Sequence, residues 1–486
     1  MLFFALPLLQ ADPVHLELSG QHLSLRTDGA TLEEILRAFA HYGIEVVHPS
    51  LPEQRLTFDW RERPLGDALA ELLGGFNHDT RWLSYPVGGG WMHTLTGLRI
   101  YGRETAQDPL RRMPPPTTRW VTLHDGGEAV ADELLLGLTR DADIHEIRAL
   151  LRALGGQVIS VDEIAGIYRV RLPPNSNLPA VLEQVLRHPH IAAAEPNRAV
   201  RIPGPALPPA SAAATAGAAA PRPAALPLAD GPAALAIIDS GVNPDWLPER
   251  QLRATLDVTG QNRDRIDSLG HGTQMALLAA GQFLPQGSGS RDTAVPLVSI
   301  RGFDDEGRTS HFGILESLAF ARDQGAAAIS MSWGSPTPSP IMEAAFARMA
   351  DQGMILIAAA GNEGRERVLY PAGYASVLAV AAATPDGTLW ENSNRGDGID
   401  LMAPGITTFP VGHQGPPGTY AGTSIATPVV AAAITLFRQQ HPEATAAQIR
   451  EALLASLSPA PEGQPGLFDA QAKARFLQTG LTTNQD

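Results

Sequence analysis

The stretch Ala234-Leu-Ala-Ile-Ile-Asp239-Ser-Gly241 decides how this chain is read. Residues 234–238 are a short unbroken apolar run, the pattern of a strand buried on both faces in a parallel sheet. Asp239 closes the run at its carboxyl end, where the sites of α/β proteins gather. Taken alone, Asp-Ser-Gly is a turn. Three later segments change its meaning: Gly270-His271-Gly272-Thr273, Ala359-Ala360-Gly361-Asn362-Glu363-Gly364, and Gly422-Thr423-Ser424-Ile425-Ala426-Thr427-Pro428. An alcohol becomes a useful nucleophile only beside a base, and the base has to be held by a third group. Asp239, His271 and Ser424 supply such a set. Asn362 adds an amide donor for negative charge developing on a substrate oxygen.

The order Asp, His, Ser is that of the subtilisin type, not of chymotrypsin-like or α/β-hydrolase enzymes. Ala426 also rules out the Gly-x-Ser-x-Gly elbow of lipases. Through these four motifs, residues 232–460 resemble the subtilisin-like serine peptidases, the subtilases. The resemblance implies an α/β, subtilisin-like three-layer fold with a mainly parallel sheet, in a domain over 232–480. It implies that Asp239 orients His271, that His271 is general base and then acid, that Ser424 attacks, and that Asn362 is the oxyanion donor. Ser424 is expected near a helix N-terminus, where the dipole favours negative charge, with Pro428 tolerated in the first turn. The substrate-binding residues implied are Ser332, Trp333 and Gly334, whose backbone pairs with an extended peptide, together with Ala359 and Gly361. Arg308 lies where the family has an edge strand. Leu369 is expected at the base of the first specificity pocket, making it shallow and suited to small or medium side chains. Glu363 attracting a basic residue is the competing expectation.

Upstream, residues 130–200 alternate strand and helix patterns in the order β-α-β-β-α-β, which is ferredoxin-like. Asp143 is placed to cap the first helix. The unit ends Ala-Ala-Ala-Glu195-Pro-Asn197 and resembles a subtilase propeptide. That resemblance implies an intramolecular folding assistant and inhibitor whose C-terminal tail lies in the active-site cleft until cleaved. An ordinary ferredoxin-like binding domain is the other reading.

Residues 14–104 form another small α+β unit. Thr31-Leu-Glu-Glu34 is a capping box opening a helix that Gly43 closes, and Pro64 begins a second helix. The run from Leu56 to Leu73 resembles the short N-terminal domain of secretins and TonB-dependent receptors. This implies a periplasmic interaction module, with an envelope protein as partner, in a Gram-negative cell; an unrelated small α/β domain is the other reading. Residues 105–129, with Pro114-Pro115-Pro116, and the Pro/Ala-rich stretch 201–231 are expected linkers.

The 486 residues exceed one ordinary core, so two to four domains are expected. With no cysteine there is no disulfide or thiol chemistry, and the net charge of −15 argues against nucleic-acid binding. Lys473 is the only lysine, a bias that a GC-rich genome explains. Residues 1–12 read as the apolar part of a secretory signal, although no basic residue precedes it, or else as a strand. No stretch is long and apolar enough for a membrane-spanning helix. Export to the periplasm or medium follows from the signal and the family resemblance. No cofactor is required. Calcium is a candidate through Asp257, Asp264 and Asp267, but their spacing matches no defined loop and a solvated acidic surface is the alternative. The expected activity is that of a serine endopeptidase made as a self-inhibited precursor and acting on a peptide or protein. Its rivals are an adaptor with a peptidase fold and a processing protein restricted to one envelope partner.

Overall fold

The computed structural model describes residues 14–19, 21–102, 109–113, 118–206, 226–261, 267–291 and 293–480. The expected signal segment, Pro114-Pro115-Pro116, residues 207–225 of the Pro/Ala-rich stretch and Asp264 lie outside them. The chain divides into two compact units, Met1–Arg198 and Ala199–Asp486.

The second unit is built on seven parallel strands in the spatial order Leu252–Asp257, Leu297–Arg301, Ala234–Asp239, Ala326–Met331, Ile355–Ala359, Val377–Ala383 and Leu401–Pro404. The central strands read as continuous apolar runs because both faces are covered: every residue of Ala234–Asp239, Ile355–Ala359 and Val377–Ala383 is buried. After Ala234–Asp239 the chain first builds one side of the sheet and then the other. Asp239 therefore ends the strand at which the winding reverses, where such folds form clefts. Helices His271–Ala279 and Thr423–Gln440 share one core with side chains such as Leu235, Ile237 and Ile357. The alternate side chains face away, and Ile238 approaches helix His311–Asp323 on the other face. From Thr423 to Phe437 every residue of Thr423–Gln440 is buried, which is why this helix is apolar all round.

The first unit holds two cores. One is formed by helices Leu32–His41 and Leu65–Leu72 against the strands around them. Its capping box is present, with Thr31 Oγ1 accepting from Glu34 N at 3.2 Å and Glu34 accepting from Thr31 N at 2.7 Å. The other core covers an antiparallel sheet in the order Gln157–Asp162, Ile167–Arg171, Glu128–Leu138, Ile191–Arg201, with helices Ile144–Ala153 and Leu178–Leu186. That is the ferredoxin-like arrangement. Asn197 is buried here and donates to Glu133 at 2.6 Å. Burial alone would raise Glu133, but the guanidiniums of Arg169 and Arg171 overcome it and hold the carboxyl at about 2.

Two expectations change in detail. Residues 105–129 are not simply a linker: Arg111–Arg112 pairs with Glu45–His48, and Trp120–Thr122 pairs with Glu128–Leu138. Nor do residues 14–104 stand apart. The hairpin of Asn77–Val87 and Gly90–Tyr101 puts Tyr85, Val87 and Met92 into the second core, and Gln157 donates to the Leu95 carbonyl at 3.1 Å. A hydrophobic pattern shows which residues are inward, but not which neighbouring core they enter.

Candidate active site

His271 opens helix His271–Ala279, and close backbone approach requires the glycines beside it. A Cβ on Gly272 would lie 2.2 Å from the Gly241 oxygen. Gly270 has φ +79°, and a Cβ there would lie 1.9 Å from the Gly412 oxygen. The approach to Gly241 seats His271 beside Asp239, with Nδ1 2.8 Å from Asp239 Oδ1 and both side chains buried. A carboxylate only accepts, so Nδ1 carries the proton and Nε2 is left as the basic nitrogen. Asp239 Oδ1 also accepts from Ser240 N at 2.8 Å.

Sequence reasoning missed the support behind this pair. Ser240 Oγ accepts from Gly272 N at 2.9 Å and donates to Asp267 at 2.8 Å. Asp267 in turn accepts from Thr273 N at 2.7 Å and Gly270 N at 2.9 Å. Burial pushes the Asp267 carboxyl up, against the bonds from Thr273 and Ser240 that pull it down. This carboxyl thus braces the start of the His271 helix. Asp257 accepts from Thr259 N at 2.8 Å and Oγ1 at 2.6 Å. Among the described residues no group of three or more His, Asp or Glu is placed to hold a metal ion.

Ser424 is the second residue of helix Thr423–Gln440. Pro428 is not in the first turn, as the sequence suggested, but the sixth residue of this helix. Its missing N–H leaves the Ser424 carbonyl without its helical donor. Ser332 Oγ fills the gap, donating to that carbonyl at 3.0 Å, while Ser424 Oγ donates to the Ser332 carbonyl at 3.2 Å. Asn362 Oδ1 accepts from Thr423 N at 2.9 Å and Oγ1 at 2.8 Å, which fixes the amide and turns Nδ2 toward the side-chain-free Gly422. His271, Asn362 and Ser424 line one cavity of ≈ 20 Å³ together with Pro203, Gly204 and Ala206. That is room for about one water molecule.

Part of the stretch expected as a linker thus lies in the cleft. Residues 199–201 pair antiparallel with Arg308–Ser310, setting Arg201 opposite Arg308, and Arg201 bridges Gly334 on its other side. Ser332 and Gly334 act here through backbone or hydroxyl. The Trp333 indole is turned inward and donates to the Ile238 carbonyl at 2.9 Å. Ala359 is a buried residue of its strand. Leu369 packs against both Gly334 and Gly361: a Cβ on Gly334 would fall 2.9 Å from Leu369 Cβ, and one on Gly361 2.9 Å from Leu369 Cγ. Glu363 is engaged by Arg367 at 2.6 Å, so its charge is already paired.

His413 was also missed. It lies in a Gly- and Pro-rich loop with no motif to announce it. Its buried ring sits 4.7 Å from the His271 ring, centroid to centroid, and lines the same cavity. Burial, and secondarily His271, push the His413 imidazole down to about 3. The folded chain thus binds fewer protons here than the unfolded chain, whose histidine titrates near 6.5. Stability from keeping His413 neutral is present above about pH 6.5 and is lost as pH falls toward 3, at up to about 1.4 kcal/mol per pH unit. Denaturant midpoints between pH 7 and 5, in a Ser424→Ala background that prevents self-digestion, should fall less steeply once His413→Phe is added. Equal slopes would show that His413 does not contribute.

A family model described as the subtilase family matches residues 232–475, and one for the fervidolysin N-terminal prodomain matches residues 115–197. Subtilisin BL of Lederbergia lenta is 31% identical over 247 residues, which are 50% of this chain and 90% of that protein. Subtilisin E of Bacillus subtilis is 32% identical over 224 residues, 45% of this chain and 58% of that one. The crystal structure of fervidolysin from Fervidobacterium pennivorans, described as a keratinolytic enzyme related to subtilisin, superposes with a TM-score of 0.58 at 23% identity, covering 74% of this chain and 63% of that chain. The chain belongs to the subtilase family, as a subtilisin-like serine endopeptidase with an N-terminal prodomain.

Proposed function

We propose that Ser424 attacks the peptide carbonyl of a protein substrate, forming an acyl-enzyme. His271 takes the serine proton and delivers it to the leaving nitrogen. Asp239 holds the Nδ1–H tautomer and stabilises the imidazolium, and Asn362 donates to the oxyanion. The observation that carries this reading is the 2.8 Å contact between Asp239 and His271, whose ring lines one cavity with Ser424 and Asn362. Intact mass of the chain beside its Ser424→Ala variant tests it. Cleavage between about residues 197 and 232 only when Ser424 is present supports a self-maturing precursor. Identical cleavage in both chains counts against it.

Export belongs to the same proposal, with residues 1–12 as signal and the periplasm of a Gram-negative cell, or the medium, as destination. Residues 14–104 are the proposed dock for an envelope partner. Their hairpin shares the prodomain core, so a partner is better sought with substitutions at Trp91, 61% exposed, than by deleting the domain.

Leu369 is the proposed limit on the residue before the cleaved bond. Leu369→Gly should raise the preference for phenylalanine over alanine there by about tenfold or more, since each added methylene fitted into a pocket contributes about 1–3 kcal/mol. A peptide-library profile unchanged by the substitution would remove Leu369 from the pocket.

A further inference from the structure

Residues 199–206 cross the site as a peptide substrate would. Their pairing is antiparallel on both sides, with Ala199 opposite Ser310, Arg201 opposite Arg308, and Arg201 opposite Gly334. Ile202 N donates to the Gly307 carbonyl at 3.0 Å. Val200 and Ile202 are buried while Arg201 is exposed, the alternation of a strand on a surface. Beyond the nucleophile, Ala421 N donates to the Ala206 carbonyl at 3.1 Å. Pro203 and Gly204, between these anchors, line the cavity with His271, Asn362 and Ser424. The bond presented to Ser424 therefore lies between Ile202 and Ala206.

That stretch is Ile202-Pro203-Gly204-Pro205-Ala206. Each of its four peptide bonds has proline on one side. Where proline supplies the leaving nitrogen, the nitrogen carries a ring carbon in place of hydrogen, beside the point where His271 must deliver a proton. Where proline supplies the carbonyl, it has no N–H for the wall strand, and its φ is held near −65° instead of the −140° of an antiparallel ladder. The register shows the consequence. With Arg201 opposite Gly334, Pro203 falls opposite Ser332. The Ser332 carbonyl accepts instead from Ser424 Oγ at 3.2 Å.

We infer that residues 202–206 are a cleavage-resistant plug: the tail binds in the substrate register, but its prolines keep every bond it presents out of attack geometry and leave the nucleophile's hydroxyl on Ser332. Ladder bonds made equally in ground and transition states give binding without turnover. The activating cut then falls outside residues 202–206, and inhibition outlasts any single cut elsewhere. The inference rests on the peptidase reading above.

The test uses the full chain with Pro203→Ala and Pro205→Ala combined, both at partly or fully exposed positions. Terminal mapping by mass spectrometry is run beside hydrolysis of an added unstructured protein. The double variant should be cut between residues 202 and 206 about 10²-fold faster than the natural chain, the scale of a small misplacement of reacting atoms. The same variant carrying Ser424→Ala should stay uncut there. If the double variant digests the added protein yet leaves its own 202–206 intact, the plug is overturned while the peptidase reading stands. Cutting of the natural chain there at the variant's rate also overturns it. If no chain with Ser424 hydrolyses anything, the peptidase reading falls and the plug falls with it.

Discussion

Replacing Ser424 with alanine should lower turnover of an unstructured peptide by about 10⁶-fold, with little change in stability. In the proposed mechanism the effect is large because the change removes the atom that would form the acyl bond, and a base and its orienting carboxylate are useless without it. The fold does not depend on the hydroxyl. Among the described residues Ser424 Oγ makes one hydrogen bond, to the Ser332 carbonyl, and alanine is a good residue for the first turn of Thr423–Gln440. The residual rate should not be zero. In the same proposal Asn362 and the backbone donors at the helix start would still stabilise an oxyanion formed by attack of water. The measurement is kcat on one peptide, with both chains purified alike. A loss smaller than about tenfold would show that another group attacks, or that a contaminating peptidase was being measured.

Much of the peptidase unit was legible in the sequence, for a physical reason. Strands such as Ala234–Asp239 are buried on both faces and must be apolar throughout, the glycines around His271 stand where a side chain would collide, and Gly422 before Ser424 lies tight against Asn362. Chemistry that leaves no freedom of residue type is visible as a motif. What was not legible depends on contacts between distant segments. Asp267 looked like one more surface carboxylate, yet it is buried under the start of the His271 helix. His413 reaches the catalytic region through a loop following Phe409, and nothing in its neighbours announces the ring it meets. The Pro/Ala-rich stretch reads as unable to build a core of its own. Composition, however, says nothing about a strand completed by another strand, and its first residues borrow their ladder from Arg308–Ser310 and Gly334. Pro428 was misplaced for a simpler reason: helix boundaries read from sequence slip by a few residues, and here the slip hid the link between Ser424 and Ser332.

Asp239→Asn should cost about 10⁴-fold in kcat while leaving the fold in place. Asparagine has the shape of aspartate, and its oxygen can still accept from Ser240 N, as Asp239 Oδ1 does at 2.8 Å. What changes is the partner presented to His271 Nδ1. Asp239 Oδ1 faces both Ser240 N and His271 Nδ1, so an asparagine oxygen in its place still accepts from both but carries no charge, whereas an NH₂ group there would meet two donors. In the first orientation His271 keeps its Nδ1–H tautomer without the anion that strengthens it as a base; in the second the imidazole turns its Nε2 into the donor, and the base is lost by tautomer and not by removal. The imidazolium formed during attack also loses the carboxylate that stabilised it. Two readouts separate this from a collapsed site. The denaturation midpoint should stay close to that of the natural chain. A serine-directed fluorophosphonate should label Ser424 far more slowly, since that reaction needs the same base. Normal labelling together with lost hydrolysis would place the role of Asp239 elsewhere, in substrate binding. A lowered midpoint would mean that the carboxylate holds Ser240 and the start of the His271 helix more than it holds the imidazole.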